Sequence, residues 1–456
     1  MFFSPRHARS SILECSNSWA GEGSGAAKPV PRLQSMARER LSVRVHPAPF
    51  WFGFGFGSFG QIVSGETQHV YAPAPVQFCS VEEEHTLASE ISKLSPAWSH
   101  TAALTVDGHL LLAGFLGGCP QQRAQLPANG CQDLLAAEKY MLLKFKGSVE
   151  CWSTDSLHSG SLQGNPVWKM DLPVHTEKAL PLAADGYVMP RPPFFKQLPC
   201  EIRVQKLVLG LEHALLLSTD WEVFTWGSGR HGQLGHGGLE NVSEPLVVEA
   251  LTGMSMGAVA AGSWHSVSIS VAGDLYIWGW NESGQLGFPS KKLAEDSLHV
   301  THFTQKEIVQ GKPSSPYKAS QETKNTTVEE GNTERCTDQK ISSLKETLRS
   351  SPKNCAHTSE FISIQAFPAL LDLPQESEVL KVSCGSRHTA VVTREGHLYT
   401  WGWGAYGQLG HGDTNSLDHP RIVECFSQKQ MCVKDVVCGL WNTFVLCSPT
   451  TTGLQS

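Results

Sequence analysis

Three patterns in this sequence carry residues at spacings that could do chemistry. G-x-G-x-x-G, the spacing that cradles a dinucleotide pyrophosphate, occurs at Gly227, Gly229 and Gly232, at Gly402, Gly404 and Gly407, and at Gly55, Gly57 and Gly60. Three histidines, His213, His265 and His388, each end the phrase G-x-x-H and are of the type that ligates zinc or iron. One G-x-S-x-G string, Gly253 to Gly257, places Ser255 at the spacing of a nucleophile elbow. Each chemistry makes a demand on the elements around it. A pyrophosphate site needs a strand before the glycines and a helix after them, but here Gln-Leu-Gly or Gln-Ile follows with no helical period. Metal ligands must converge within a few ångströms, whereas these histidines recur once per repeat. An elbow also needs a helix after it, and Ala258 to Gly262 reads as a short strand. No cysteine has a context that activates a thiolate. We therefore assign no catalytic residue, no cofactor and no metal.

The elements that hold these residues repeat. Trp226-Gly227-Ser228-Gly229-Arg230-His231-Gly232-Gln233-Leu234-Gly235 returns from Trp278 to Gly287 and again from Trp401 to Gly410. The histidine of a G-x-x-H phrase stands thirteen residues before each tryptophan, and His213 to His265 and Trp226 to Trp278 both span 52 residues. Between the two phrases lie β-prone runs joined by glycine turns, such as Ala390–Thr393 and His397–Trp401 around Gly396. A period of about fifty residues built from such hairpins predicts a β-propeller. Within the repeat, His213, His265, His388, Trp226, Trp278, Trp401, Gly232, Gly284 and Gly407 are expected to be structural, each histidine bonding backbone in its own blade. Asn281, in place of a glycine, is expected at positive φ.

Eroded copies extend the array. Ala97-Trp98-Ser99-His100 lacks its glycine, Ala113-Gly114 stands where Trp-Gly belongs, and Leu143 to Trp152 is a degenerate hairpin. Gly439-Leu440-Trp441-Asn442 opens a last repeat that has no W-G phrase, while Phe54-Gly55-Phe56-Gly57-Ser58-Phe59-Gly60-Gln61 is a W-G phrase with no G-x-x-H before it. Together these halves predict one blade, closed by pairing of N- and C-terminal strands. Six blades are countable, and the stretch from Ser153 to Cys200 has room for a seventh.

Both phrases, their offset and their period resemble the regulator of chromosome condensation repeat family. The resemblance also rests on the runs Ala48–Gly57, Gly229–Gly237, Ile277–Leu286 and Phe367–Pro374. It implies an all-β, seven-bladed β-propeller. It further implies chromatin association, with roles in chromatin regulation and chromosome segregation, and a nuclear, chromosome-associated as well as cytoplasmic location. A histone or a chromatin-modifying enzyme would be the partner, the chain acting as a monomer within a hetero-complex. The resemblance permits an alternative, a guanine nucleotide exchange factor for a small GTPase.

Composition is consistent with this reading. A net charge of −7 does not suit a protein that coats nucleic acid. Thirteen cysteines without C-x-x-C pairs read as reduced thiols, and no apolar run reaches the length of a membrane span. Residues 1–48 read as a disordered extension in which the glutamates argue against a transit peptide and Met36 is a candidate start. The propeller spans 49–456. Residues 289–357 read as a flexible loop inserted between blades, where Ser315-Pro316 and Ser351-Pro352 are ordinary loop dipeptides. What is left for function is surface: Arg230, His231, Trp264, Trp280, Asn281, Glu282, Arg387, Tyr406 and Trp441 vary between copies, and exposed Trp and Arg are enriched in binding hot spots.

Overall fold

A computed structural model describes residues 50–62, 69–76, 78, 91–157, 164–173, 178–296 and 361–450. Among the described residues the first elements are β1 (Phe50–Gly55) and β2 (Val70–Pro75). Blade 1 follows as β3 (Ile91–Pro96), β4 (His100–Thr105), β5 (His109–Leu116) and β6 (Cys119–Pro127). Blade 2 comprises β7 (Cys131–Ala136), β8 (Tyr140–Phe145), β9 (Ser148–Ser153) and β10 (Trp168–Asp171). Blade 3 has only β11 (Leu182–Ala183), β12 (Gly186–Val188) and β13 (Phe195–Gln197). Blade 4 is β14 (Val204–Leu209), β15 (His213–Ser218), β16 (Val223–Gly227) and β17 (Val242–Val247). Blade 5 is β18 (Met256–Ala261), β19 (His265–Ser270), β20 (Leu275–Trp280) and β21 (Ile364–Leu370). Blade 6 is β22 (Val379–Cys384), β23 (His388–Thr393), β24 (Leu398–Gly402) and β25 (Leu417–Ile422), after which come β26 (Met431–Cys438) and β27 (Asn442–Pro449). The sheet order β2-β1-β27-β26 makes a seventh, closing blade from both ends of the chain. The protein is an all-β, seven-bladed β-propeller, and its seventh repeat lies where the sequence left room, between Ser153 and Cys200.

The repeat phrases set one register. His213 pairs with Gly227, His265 with Gly279, His388 with Gly402, His100 with Gly114, and Asn442 with Gly55. The seam thus reproduces the geometry of an ordinary hairpin across two strands that are far apart in sequence. Cores of Val, Leu, Ile and aromatic residues fill the spaces between blades; Trp278, Trp401, Phe54 and Phe444 are fully buried.

First strands touch first strands around the channel: β3 with β7, β14 with β18, β18 with β22, β22 with β26, and β26 with β3. Six of them carry a bulge at the same register, which places Lys93, Asp133, Lys206, Ala258, Lys381 and Asp435 at equivalent positions. These side chains meet across blades, Lys93 with Asp133 at 3.0 Å and Lys381 with Asp435 at 3.1 Å. Lys206 is open to channel water yet walled by protein, so burial lowers its pKa despite Asp435 nearby, and Lys93 and Lys381 add to the lowering.

The histidines correct the expectation of backbone bonds within their own blades. Each reaches a hydroxyl of the next blade: His213 Nε2 lies 2.9 Å from Ser266 Oγ, His265 Nε2 3.0 Å from Thr389 Oγ1, and His388 Nε2 2.9 Å from Thr443 Oγ1. Each hydroxyl spends its proton on the main-chain carbonyl of Gln233, Gln285 or Gln408. It must therefore accept from the ring, which fixes the neutral Nε2–H tautomer. The same Gln233 and Gln285 carbonyls accept the indole N–H of Trp278 and Trp401. Nδ1 of each ring has no partner and faces the glycine of its own phrase. A Cβ at Gly262 or Gly385 would stand 2.4 or 2.3 Å from that nitrogen, which explains the first residue of G-x-x-H. The physical reason for the difference is position: the histidine starts the second strand and looks outward at the neighbouring blade. Removing the ring strands a buried hydroxyl, so His388→Ala is expected to cost about 2–3 kcal/mol and Thr443→Val about 1–2. A double-mutant cycle in urea should return a coupling of about 1 kcal/mol; additive losses would show that the two do not interact.

Two further expectations change. Asn281 is not among the residues at positive φ. It is fully buried, its amide donating to the Phe288 and Ile362 carbonyls and its oxygen accepting from Leu286 N–H. The long insertion lies within blade 5, between β20 and β21, and not between blades. The fourth strand waits until Ile364, and Ser290 is tied at the loop's root to the Glu282 carbonyl and the Asp418 carboxylate. Residues 1–49, Met36 among them, and residues 297–360, with Ser315 and Ser351, lie outside the described residues.

Candidate functional site

The register decides which side chains share a face. Because the histidine, or Asn442, pairs with the glycine of W-G or its counterpart, the two phrases end at the same edge of blades 1, 4, 5, 6 and the closing blade. Main-chain bonds clamp them together: Ser228 to Glu212, Trp280 to Trp264, Trp403 to Arg387, Phe56 to Trp441 and Phe115 to Ser99, all 2.8–2.9 Å. The residue before the histidine and those after Trp-Gly are thus presented side by side on one end of the ring.

Two groups form there. In the first, Trp264 and Trp280 meet edge to face with ring centroids 5.4 Å apart, and His231 lies 5.9 and 5.6 Å from them. The Arg387 guanidinium sits over Trp280 at 4.7 Å and over Trp264 at 5.8 Å. In the second, Trp403 packs on Tyr406 and Trp441 at 4.8 and 5.0 Å. Tyr406 continues to Phe56 at 5.1 Å and His69 at 4.7 Å, and Phe56 and Phe59 lead on to Trp98. Phe59 also reaches Phe115, 5.6 Å away. Beyond Phe115 a pocket of about 360 Å³ opens between blades 1 and 2, lined by Ser99, Glu138, Tyr140 and Asp155 among others. The face thus carries two groups of rings, one on blades 4 and 5 beside Arg387 and a longer ladder from blade 6 across the closing blade to blade 1. Trp98 and Phe115 are 42% and 38% exposed, a large apolar surface for a chain to leave in water.

The other candidates are placed as follows. Arg230 is exposed and pairs with Glu212 at 2.7 Å, a surface ion pair of little energetic weight. Glu282 is exposed beside Trp280. Asn281, being buried, drops out of the surface. Sequence reasoning left Phe56, Phe59, His69, Trp98, Phe115 and Trp403 off the candidate set. Superposing the W-G phrases would have found three of these, since Trp280, Trp403 and Phe56 share one position after Trp-Gly, and His231, Tyr406 and Phe59 share another.

Among the described residues nothing in the electrostatics prepares a nucleophile. Burial pushes the thiols of Cys131 and Cys151 up to about 11 and that of Cys438 up to about 12. Ser255 precedes strand β18 rather than a helix. Among the described residues no three His, Cys, Asp or Glu side chains are grouped to hold a metal ion, and no helix is long and apolar enough to cross a membrane.

Comparison with known proteins gives the following. Models of the regulator of chromosome condensation (RCC1) repeat match residues 222–269 and 395–446, and again 258–285 and 379–408. RCC1 domain-containing protein 1 of Homo sapiens is 42% identical over 414 residues, covering 87% of this chain and 96% of that protein. Its Mus musculus counterpart is 43% identical over 417 residues with the same coverage. Among solved structures, Prp20p from Saccharomyces cerevisiae, described with its binding properties to Gsp1p and histones, has a TM-score of 0.58 at 17% identity. That superposition covers 89% of this chain and 93% of Prp20p and speaks for the fold alone.

Proposed function

Since the chain belongs to the RCC1 repeat family, we infer that it is a non-enzymatic propeller that docks protein partners on its aromatic loop face. The observation that carries this is the pair of aromatic groups on one end of the ring, Trp264 and Trp280 with His231 under Arg387, and the run of rings from Trp403 to Phe115. Rings packed on one another and fixed by main-chain bonds within each blade lose little freedom when a partner covers them, so rigid presentation lowers the cost of binding. Aromatic and arginine side chains on loops over a stiff scaffold are the usual carriers of interface energy. The partner best supported is a histone or a chromatin-modifying enzyme, which would place the protein on chromosomes and in chromosome segregation. Support comes from the family and from the histone binding named for Prp20p. Exchange on a small GTPase is the second reading, favoured by the Gsp1p binding named for the same protein.

The test is capture from nuclear and cytosolic extract by the full chain, quantified by mass spectrometry. Trp98→Ala and Trp441→Ala are each expected to lower capture of the same partner at least about tenfold, the loss typical of a hot spot. Arg230→Ala should change it less than about threefold. Histones or a histone-modifying enzyme lost with the tryptophans support docking to chromatin. A nucleotide-free small GTPase dominating the capture would move the conclusion to exchange. Capture that survives both tryptophan variants would remove the ladder from function.

A further inference from the structure

The seven described arginines do not have equivalent surroundings. Arg203, Arg230, Arg394 and Arg421 each pair with a carboxylate of this chain, respectively Asp220, Glu212, Glu378 and Asp413. Arg191 donates to the Leu211 carbonyl and Arg123 to that of Gly60. Arg387 alone has no oxygen partner among the described residues; its neighbours are the faces of Trp264 and Trp280. Its Nε is buried without an acceptor, as are Trp264 Nε1 and His231 Nδ1 beside it. Three unspent nitrogens therefore gather in one group of four side chains on the docking face.

A guanidinium laid on indole has already lost water from a face and cannot swing freely. With Nε turned inward, the two Nη groups form its open edge, a pair of parallel donors that matches the two oxygens of a carboxylate. The local charge selects among anions. Arg230 pairs with Glu212, and the exposed Glu282, close enough to His231 to act on its charge, offsets the charge of Arg387, so the group is close to neutral overall. A monoanion fits such a site better than a dianionic phosphate. The indoles and the His231 ring supply an apolar floor for the stem of the arriving side chain.

We propose that Arg387, clamped on Trp264 and Trp280, is the receptor for one carboxylate, an Asp or Glu side chain of the protein that docks on the loop face. The assignment rests on the docking reading above and names the chemistry of its partner. It also explains why Arg387 has no carboxylate within its own chain: the position is completed in the complex.

The experiment uses the full chain and three fluorescein-labelled hexapeptides read by anisotropy: Gly-Leu-Glu-Glu-Leu-Gly, the same with Gln for Glu, and the same with phosphoserine for Glu. The Glu peptide is expected to bind at least about tenfold tighter than the Gln peptide, the discrimination a charge-assisted pair supplies. Arg387→Gln should erase that difference, and Arg387→Lys should restore only part of it, because an ammonium lacks the fork. Glu282→Gln should tighten the Glu peptide about two- to threefold by removing a like charge, and it leaves Arg387 untouched should Arg387→Gln fail to fold. Equal binding of the Glu and Gln peptides, unchanged Glu-peptide binding by a folded Arg387→Gln, or a phosphoserine peptide binding tenfold better than Glu would each overturn the assignment. Its failure is separable from failure of docking itself: a partner lost with Trp98→Ala but fully retained by Arg387→Gln leaves docking standing and removes only the carboxylate.

Discussion

Taking the protein from pH 7 to below pH 5 is expected to unfold the ring, before most carboxylates have titrated. His213, His265 and His388 are buried and neutral, and burial lowers their pKa to about 4, about 3 and about 3, against an ordinary 6.5. The structural cause is plain: Nε2 already donates to a hydroxyl, and a second proton on Nδ1 would face a glycine with no acceptor. The unfolded chain takes up these protons as pH falls through 6.5, whereas the folded chain refuses them until near 4. Stability contributed by the neutral rings is thus whole above about pH 6.5 and drains away as pH falls toward 4. By pH 5 this linkage has removed about 2 kcal/mol per ring, and three of them together approach the whole stability of a typical domain, about 5–15 kcal/mol. His411, also lowered to about 4 by burial, adds in the same direction. Urea unfolding at pH 7.5, 6.5, 5.5 and 5 should give a midpoint that changes little above pH 6.5 and falls with increasing slope below it. A midpoint that stays level down to pH 5 would mean that the three rings are not held neutral.

Replacing Gly407 by valine should cost about 3–5 kcal/mol and lower the melting temperature clearly. Two effects add. Gly407 has φ +80°, where a β-branched residue is strained by about 1–2 kcal/mol. Its new Cβ would also stand 2.7 Å from the Cα of Tyr71 and 3.1 Å from the Val70 carbonyl, main-chain atoms of β2 that cannot step aside. Gly412 separates the two effects, since its φ is +82° but nothing lies within 4 Å of the Cβ position. Gly412→Ala should therefore cost only about 1 kcal/mol. Equal losses in thermal melts of the two variants would show that conformational strain, and not the approach of β2, is what demands glycine at 407.

The architecture was readable because a propeller writes each blade as the same phrases at the same offset. That is why the seam could be foreseen from two half-repeats, and the seventh blade from a gap of the right length. What the repeat conceals is which atoms face across a blade boundary. His388 looks like a blade's private residue in sequence, yet its partner is Thr443, at the equivalent position one blade on from Thr389. Asn281 misled for a related reason. It differs from Gly229 and Gly404, and difference between copies was read as exposure. Those glycines in fact mark a crowded position, where a Cβ would meet the Glu240 or Asn415 carbonyl, and Asn281 fills the same interior place with an amide that bonds main chain. The two groups of rings were half visible, through Trp264, Trp280, Arg387, Tyr406 and Trp441. Trp98 and Phe115 stood out less, because their blade keeps its phrases only in eroded form, as Ala97-Trp98-Ser99-His100 and Ala113-Gly114. The channel charges had no label at all: a bulge is a property of strand pairing, and nothing in the residues flanking Lys206 or Asp435 announces it.

The closing blade also decides how the molecule would respond to load. β1 and β27 run antiparallel, with Phe50 opposite Cys447 and Gly55 opposite Asn442, so both chain ends leave the seam from the same end of the pair. A force applied between the two ends would not shear the seam's hydrogen bonds together. It would open them in sequence like a zipper, starting at Phe50 and Cys447, each bond carrying the whole tension in turn. A ring tied from blade 4 to the closing blade by histidine–hydroxyl bonds would then yield at a low pulling force from this single point. Attaching the handles elsewhere, across blade 5 for example, would leave the seam unloaded and the molecule mechanically stronger.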